Sequence, residues 1–391
     1  MKATPIKVAF CENGAGYGGA VISLAAFLEI IPAPFQAHIY TSLGTAAYQD
    51  LARLGPWTHV PPVALVSAAR IRQSGLPFAS SIDNLCNVLP YAVAYYRHFK
   101  RDGIDLVYLN NDTSCNMAAA LAARAARLPM VLHARGFNAD TRGTRWVLSQ
   151  LDHCIAVSHA VRNGLLALGL APEKCSVVPE GLDLTAFRPR APAQAVRDEL
   201  GIGENEPVIT LVAGLVDWKG QDVLVDAAPA ILAQFPTAHI LMAGSAYGKD
   251  HTFADLITTR VADPALKGRV RLLGGRADIP DLLSISSIVL HTSTKPEPFG
   301  RTFLEGMALG KAVIASNEGG PLDVIEHEVD GLLIAPGQSA LLAQAVMRLL
   351  GEPALAARLA ANAAVKATSY SIQSHTQQVS AVLHAVRGAH P

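Results

Sequence analysis

Two glutamates frame the stretch of this chain with the most chemistry in it, Lys295-Pro-Glu-Pro-Phe-Gly-Arg-Thr-Phe-Leu-Glu. Glu297 lies between prolines and therefore in a loop. Glu305 falls in the early turns of a helix expected to start near Gly300. An apolar run at 287–291, which reads as a strand, ends just before the loop. A helix N-terminus offers backbone amides and the positive end of a dipole, so it suits an anion such as phosphate. A glycine there lets the anion approach closely. Two carboxylates beside an anion site are poor phosphate ligands but good acceptors for neutral hydroxyls, such as those of a ribose and a sugar. Taken singly, Glu305 could be a helix-start charge and Glu297 a solvated loop carboxylate. The pair in this setting is much harder to dismiss.

Short apolar, β-rich runs alternate along the chain with longer Ala/Leu-rich runs. The first set lies at 7–11, 37–40, 106–110, 130–133, 153–157 and 176–178. The second lies at 208–213, 239–243, 270–273, 287–291, 312–315 and 331–334. Continuous apolar strands separated by helical stretches mean parallel sheets covered on both faces. The expected fold class is α/β, with two Rossmann-like, doubly wound domains. Each set opens alike, with a strand, a glycine-containing turn and a helix. The first turn holds Gly14, Gly16, Gly18 and Gly19; the second holds Gly214 and Gly220. The proline-rich stretch Phe187-Arg-Pro-Arg-Ala-Pro-Ala reads as the connection. The expected division is 1–190, 191–370 and a terminal helix in 371–391. That helix carries Val379, Val382, Leu383 and Val386 at helical spacing, and it either packs on one domain or crosses back to the first.

A length of 391 residues exceeds what one hydrophobic core usually serves, which agrees with two domains. The 32 basic and 32 acidic residues cancel, so no basic excess supports nucleic-acid binding. The five cysteines, Cys11, Cys86, Cys115, Cys154 and Cys175, have no CxxC spacing and suggest neither a zinc site nor a disulfide framework. No segment has the form of a signal peptide, and the longest apolar run, 20–35, is broken by Glu29 and two prolines. The expectation is a cytoplasmic chain, with peripheral membrane attachment left open.

Glu297 and Glu305, separated by seven residues around Pro-Phe-Gly, resemble the E-x7-E signature of family 4 retaining glycosyltransferases. Other stretches resemble the same family in the same order: Gly16-Tyr-Gly-Gly-Ala, His133-Ala-Arg-Gly-Phe, Val157-Ser-His-Ala-Val-Arg and Val178-Pro-Glu-Gly-Leu-Asp. Ala213-Gly-Leu-Val-Asp-Trp-Lys-Gly, Arg276-Ala-Asp-Ile-Pro and Glu318-Gly-Gly-Pro-Leu-Asp-Val-Ile follow. The resemblance runs from about residue 6 to about residue 340 and implies the GT-B architecture, two Rossmann-like domains facing across a cleft.

It also implies roles. Glu305 would bind the ribose hydroxyls and Glu297 the hydroxyls of the donor sugar. The backbone of residues 299–302 (Phe299, Gly300, Arg301, Thr302), with Pro298 before it, would face the diphosphate. Lys219 would neutralise the diphosphate as it leaves, because charge grows on the leaving oxygen. Arg276 would lie near the base and Gly214 beside the phosphates. Gly18 and Gly19 would let a first-domain loop close on diphosphate or acceptor. His133 would approach the donor sugar; the plain alternative is a core histidine. Asp183 reads as a turn or cap. The resemblance implies no cofactor and no metal, with the nucleotide-diphosphate sugar, UDP favoured, as co-substrate. Departures are Leu215 where members often carry arginine, Glu180 in a Pro-Asn-Gly position, and Asp323 where many have glutamate. Arg301 or Arg135 would then replace the missing cation.

Rival readings are a sugar-nucleotide epimerase or phosphorylase on the same architecture, and a non-catalytic nucleotide- or carbohydrate-binding protein. A dehydrogenase fits less well, since the third glycine of G-x-G-x-x-G falls at Gly19 only in a turn crowded by Gly18, and His38-Ile-Tyr-Thr, not a clear ribose-binding acid, ends the next strand. The acceptor would be a saccharide or a lipid-linked molecule, in cell-surface polysaccharide or glycoconjugate synthesis by family frequency. Arg70-Ile-Arg-Gln and the basic, aromatic stretch 91–101 could touch a membrane surface, or form a solvated helix face.

Overall fold

The computed structural model describes residues 5–14, 16, 18–63, 84–246, 251–266 and 268–390. Arg70-Ile-Arg-Gln and Tyr17 lie outside the described residues. The chain forms two compact units. One comprises Met1–Gly181 together with Ile372–Pro391, the other Leu182–Ser371.

The first unit is built on a seven-stranded sheet in the order β3-β2-β1-β4-β5-β6-β7. Its strands are β1 (Ile6–Glu12), β2 (Phe35–Thr41), β3 (Trp57–His59), β4 (Leu106–Asn111), β5 (Met130–Ala134), β6 (His153–Ala156) and β7 (Cys175–Val177). Every pairing is parallel. The apolar runs become strands because helices cover both faces: Val8, Ala9, Phe10 and Cys11 are fully buried. The three-residue edge strand β3 was not anticipated; Trp57 and His59 carry no continuous apolar run. The order reverses between β1 and β4, the place where open parallel sheets bind ligands.

The second unit repeats the plan with six parallel strands in the order β10-β9-β8-β11-β12-β13. They are β8 (Val208–Val212), β9 (His239–Ala243), β10 (Val270–Leu272), β11 (Ile288–His291), β12 (Ala312–Ser316) and β13 (Leu332–Ile334). Its switch point lies between β8 and β11. The helices needed below are α1 (Gly19–Glu29), α2 (Leu89–Asp102), α3 (Met117–Ala126), α4 (Gln221–Gln234), α5 (Arg301–Ala308) and α6 (Ile372–Gly388). No single helix among the described residues is long and apolar enough to cross a membrane.

The units divide at 181/182, not at 190/191 as expected. The proline-rich stretch belongs to the second unit because the Asp281 carboxylate accepts the Arg190 and Ala191 amides at 2.5 and 3.0 Å. The two ends of the second unit are also tied together. The Leu182 amide donates to the Tyr370 carbonyl at 2.9 Å, and Leu182 pairs with Ser371 as an isolated bridge. Asp183 caps a turn, accepting from the Thr185 and Ala186 amides, both at 2.9 Å.

The chain then returns to the first unit as α6. Its helical stripe seats Val379, Leu383 and Val386 in the same core as Val8, Phe10, Leu106 and Val131. Leu383 has no exposed surface. Leu383→Ala should therefore destabilise the first unit by about 2–5 kcal/mol. Hydrogen exchange read strand by strand should show faster exchange in β1 and β4 with β8 and β11 unchanged; equal loss in both sheets would contradict this assignment.

Candidate active site at the second sheet's switch point

The loops after β8 and β11 are fastened to each other. The Thr294 amide donates to the Trp218 carbonyl at 2.8 Å, and the Thr292 hydroxyl to the Lys219 carbonyl at 3.1 Å. Gly220 caps α4 at φ +76°, and a Cβ there would stand 2.0 Å from the Thr292 carbonyl oxygen. Only glycine satisfies both demands. The turn is thus fixed, and Lys219 points at the β11 loop.

Lys219 Nζ lies 2.5 Å from Glu297 Oε2 and 4.0 Å from the centre of the Trp218 ring. Ser293 Oγ donates to the same carboxylate oxygen at 3.0 Å, and His291 Nε2 stands 3.5 Å from it. Burial raises the Glu297 pKa, but His291 and Lys219 outweigh that and hold it at about 2. The carboxylate is therefore ionised at neutral pH, and its geometry is set by three neighbours. Its backbone is fixed as well. Glu297 bridges to Gly319, and its carbonyl accepts the Gly320 amide at 2.8 Å. A Cβ on Gly320 would fall 2.2 Å from the Phe299 carbonyl oxygen. The Glu318-Gly-Gly-Pro stretch, to which no role was assigned from sequence, is the buttress behind the glutamate loop.

The helix expected from Gly300 is α5, with Gly300 as its cap at φ +93°. The Thr302 hydroxyl is spent on the Val212 carbonyl at 2.9 Å, which ties the helix start to the end of β8. Phe299 is buried and packs against Phe303 at 5.8 Å between ring centres. Of the residues 299–302, then, Phe299 and Thr302 direct their side chains into the fold, and the first-turn amides are what this segment offers a ligand. Glu305 is largely buried, with Arg301 Nε 3.7 Å away. Burial pushes its pKa up, and Arg301 offsets part of that. Pro298 lies in the same loop. Gly214 follows β8 and accepts from Gln221 Nε2 at 2.9 Å.

Arg276, Arg135 and Leu215 make contacts outside the Glu297 cluster. Arg276 is held by Glu199 at 2.8 Å and Asp278 at 2.5 Å, outside the hydrogen-bonded cluster around Glu297. Arg135 is in the first unit, buried, and ion-paired to Glu180 at 2.5 Å, with Nε on Asn110 at 2.7 Å. It is buried and paired within its own unit; Glu180, the departure from Pro-Asn-Gly, is its counter-charge. Leu215 packs against the second unit's core, and its amide donates to the Ser245 carbonyl at 3.0 Å.

His133 is fully buried in the first unit. Its Nδ1 meets the Tyr108 hydroxyl and lies 3.4 Å from Arg135 Nη2, and its ring stacks on His375 of α6 at 5.6 Å. Burial, then the Arg135 and His375 charges, push its pKa far down, so it is neutral. Gly18 caps α1 in extended backbone, and among the described residues a Cβ on it would meet nothing within 4 Å. Gly19 is the first residue of α1. Sequence reasoning missed His291, Ser293 and Trp218; position at the ends of β11 and β8 was the available signal.

In the basic, aromatic stretch, Tyr91, Tyr95 and Phe99 of α2 face the core. Leu89, Val93 and Tyr96 are 49%, 41% and 37% exposed, with Lys100 Nζ 5.8 Å above the Tyr96 ring.

Comparison with known proteins agrees with this arrangement. Residues 193–366 match the family described as Glycosyl transferases group 1, and residues 19–186 match Glycosyltransferase Family 4. The chain is 31% identical over 234 residues to the D-inositol 3-phosphate glycosyltransferase of Rhodococcus jostii, covering 59% of this chain and 51% of that protein. It is 31% identical over 240 residues to the alpha-maltose-1-phosphate synthase of Mycobacterium tuberculosis, covering 57% and 60%. The chain thus spans about half the length of the curated relatives it matches first. Anabaena Alr3699/HepE, solved in complex with UDP-glucose, superposes with a TM-score of 0.81 at 26% identity, covering 97% of this chain and 100% of that one. With both units matched to paired families and the fold shared along nearly its whole length, this chain belongs to the GT-B glycosyltransferases of the group 1, family 4 type.

Proposed function

We propose that this protein transfers a sugar from a UDP-sugar to a saccharide or lipid-linked acceptor, with retention at the transferred carbon, in synthesis of a cell-surface polysaccharide or glycoconjugate. The observation that carries this reading is the cluster of Lys219, Glu297, Ser293 and His291 beside the N-terminus of α5, at the switch point of one sheet. The UDP and UDP-glucose complexes of HepE support the donor class. Glu305 accepts the ribose hydroxyls and the first-turn amides of α5 face the diphosphate. The Lys219 ammonium has three donors, so it keeps Glu297 while turning another toward the leaving phosphate. The Trp218 face holds it from the other side. Lys219 with the helix terminus supplies the charge that a metal supplies elsewhere, which is the basis for a metal-independent reading with no cofactor. Gly18, where a Cβ would meet none of the described residues, leaves room for a ligand at the start of α1.

The retaining step follows from what Glu297 is free to do. Double displacement needs a carboxylate nucleophile at the reacting carbon. Glu297 is committed to Lys219 and Ser293, which suits holding hydroxyls rather than attack. The acceptor oxygen therefore bonds to the sugar carbon on the face that the phosphate leaves, and its proton passes to the leaving phosphate oxygen. His133, neutral and enclosed, positions Tyr108 and Arg135 in the first unit.

The exposed Leu89, Val93 and Tyr96, beside Arg97 and Lys100, give α2 an amphipathic outer face suited to peripheral membrane contact. The protein should sediment with vesicles of phosphatidylglycerol and phosphatidylcholine, and Arg97→Glu with Lys100→Glu should abolish this; sedimentation that ignores both charge and salt would remove the membrane part of the proposal.

UDP at about 100 times its dissociation constant should add about 2.7 kcal/mol to stability without added metal, and Glu305→Ala should lose the effect. No shift with UDP, GDP, ADP or CDP would favour the non-catalytic reading, and donor turnover without acceptor an epimerase. Glu297→Gln should cut kcat by on the order of 10²–10³-fold, as for loss of one aligned transition-state contact, with UDP affinity nearly unchanged. Undiminished turnover in that variant would refute the role.

A further inference from the structure

His291 ends β11 with its imidazole buried and unsatisfied. The residue is 5% exposed, and neither Nδ1 nor Nε2 has a hydrogen-bond partner of proper geometry among the described residues. A neutral imidazole carries one N–H and an imidazolium two, so at least one buried donor goes unmet. Buried polar groups are nearly always paired, and an unpaired one calls for an explanation in strain, ligand or chemistry. Nε2 is the nitrogen beside the site. It stands 3.5 Å from Glu297 Oε2, close enough to act on the carboxylate charge and too far for a settled hydrogen bond.

Packing holds the ring in that place. Phe303 of α5 meets it edge-on, with ring centres 5.6 Å apart and planes at 90°. Gly300 is close as well: a Cβ there would stand 2.7 Å from His291 Nε2 and 2.9 Å from Phe303 Cε1. The glycine that caps α5 at φ +93° therefore also clears the space that His291 fills. One imidazole nitrogen thus neighbours both the Glu297 carboxylate and the start of the helix whose amides are open to an anion.

Glu297 Oε2 already receives Lys219 Nζ at 2.5 Å and Ser293 Oγ at 3.0 Å. In the transferase reading Lys219 has a second task at the leaving phosphate. A cation shared between two anions lies farther from one or both, and each attraction weakens with distance. Resting on that reading, we propose that His291 is a positioning residue that closes on Glu297 as Lys219 is drawn toward the diphosphate, so that the carboxylate keeps its place while the charge beside it shifts. A closure of about 0.5 Å brings Nε2 to ordinary hydrogen-bond distance. The role needs only a hydrogen on Nε2. His291 acts through Glu297 and not on the reacting atoms.

The test follows the His291 ring nitrogens by NMR in the full chain. In Lys219→Met, where Glu297 has lost its lysine, the Nε2 resonance should move toward a stronger hydrogen bond with no ligand present. In the wild type, UDP should move it the same way. Calorimetry supplies a second readout. His291→Leu should bind UDP-glucose about fivefold or more weakly, as for loss of one hydrogen bond, and UDP within about twofold of wild type. His291→Gln, which can return an amide donor near the Nε2 position, should restore UDP-glucose binding to within about twofold. A purely structural role would weaken both ligands alike and would not separate glutamine from leucine. Unmoved Nε2 resonances in both Lys219→Met and UDP-bound wild type, or equal losses in the two His291 variants, would overturn the proposal. A moved resonance in Lys219→Met, with no binding of UDP, GDP, ADP or CDP by the wild type, would keep His291 as the second donor to Glu297 and remove the transferase reading.

Discussion

The ion pair between Lys219 and Glu297 is the constraint around which the second unit's switch point is organised. Neither partner is stable there alone. Their side chains are 20% and 12% exposed, and a lone charge so placed loses hydration without compensation. The pair can exist only if two loops, following strands that are adjacent in the sheet but about 80 residues apart in sequence, are brought to one place. Thr292, Thr294 and Gly220 bring them there. Much of the remaining detail serves the same end: Gly319 and Gly320 leave space for the Glu297 backbone, and Thr302 anchors α5 to β8.

The same neighbours that fix Glu297 also divide the labour between the two carboxylates. Lys219 and His291 keep Glu297 ionised despite burial. Glu305 sits on α5 with only Arg301 at 3.7 Å, and burial raises its pKa. Two acids separated by seven residues thus have opposite electrostatic surroundings. One is a rigid anion that can accept hydroxyl hydrogen bonds without moving. The other costs more to ionise and gains from a ligand that donates to it.

The first unit solves a comparable problem differently. Its switch point between β1 and β4 holds Glu12, Asn110, Arg135 and Glu180 in a closed network, with His133 and Tyr108 enclosed beside it. Charges that would be attractive to a phosphate are neutralised internally. A cavity of about 380 Å³, lined among others by Asn13 and Gly14, lies beside this network. Two sheets with the same strand plan therefore bury different ion pairs, Lys219 with Glu297 in one and Arg135 with Glu180 in the other.

Sequence by itself determined the strands, the two-sheet plan, the helix start at Gly300 and the E-x7-E pair. Continuous apolar runs encode parallel strands locally, and loop carboxylates flanked by proline and glycine are local signals too. Tertiary structure alone decided which charges meet. Arg135 reads in sequence as a candidate cation, yet it pairs with Glu180, 45 residues on, and Arg276, expected near the base, pairs with Glu199, 77 residues back, as well as with its neighbour Asp278. His291, Ser293 and Trp218 carry no motif of their own and become part of the site only because β8 and β11 are neighbours. The domain boundary likewise moved to 181/182 because Asp281 captures the Arg190 and Ala191 amides, a contact spanning about 90 residues. The pattern of side-chain types along the chain sets the elements, whereas electrostatic pairing depends on distances that no sequence period encodes.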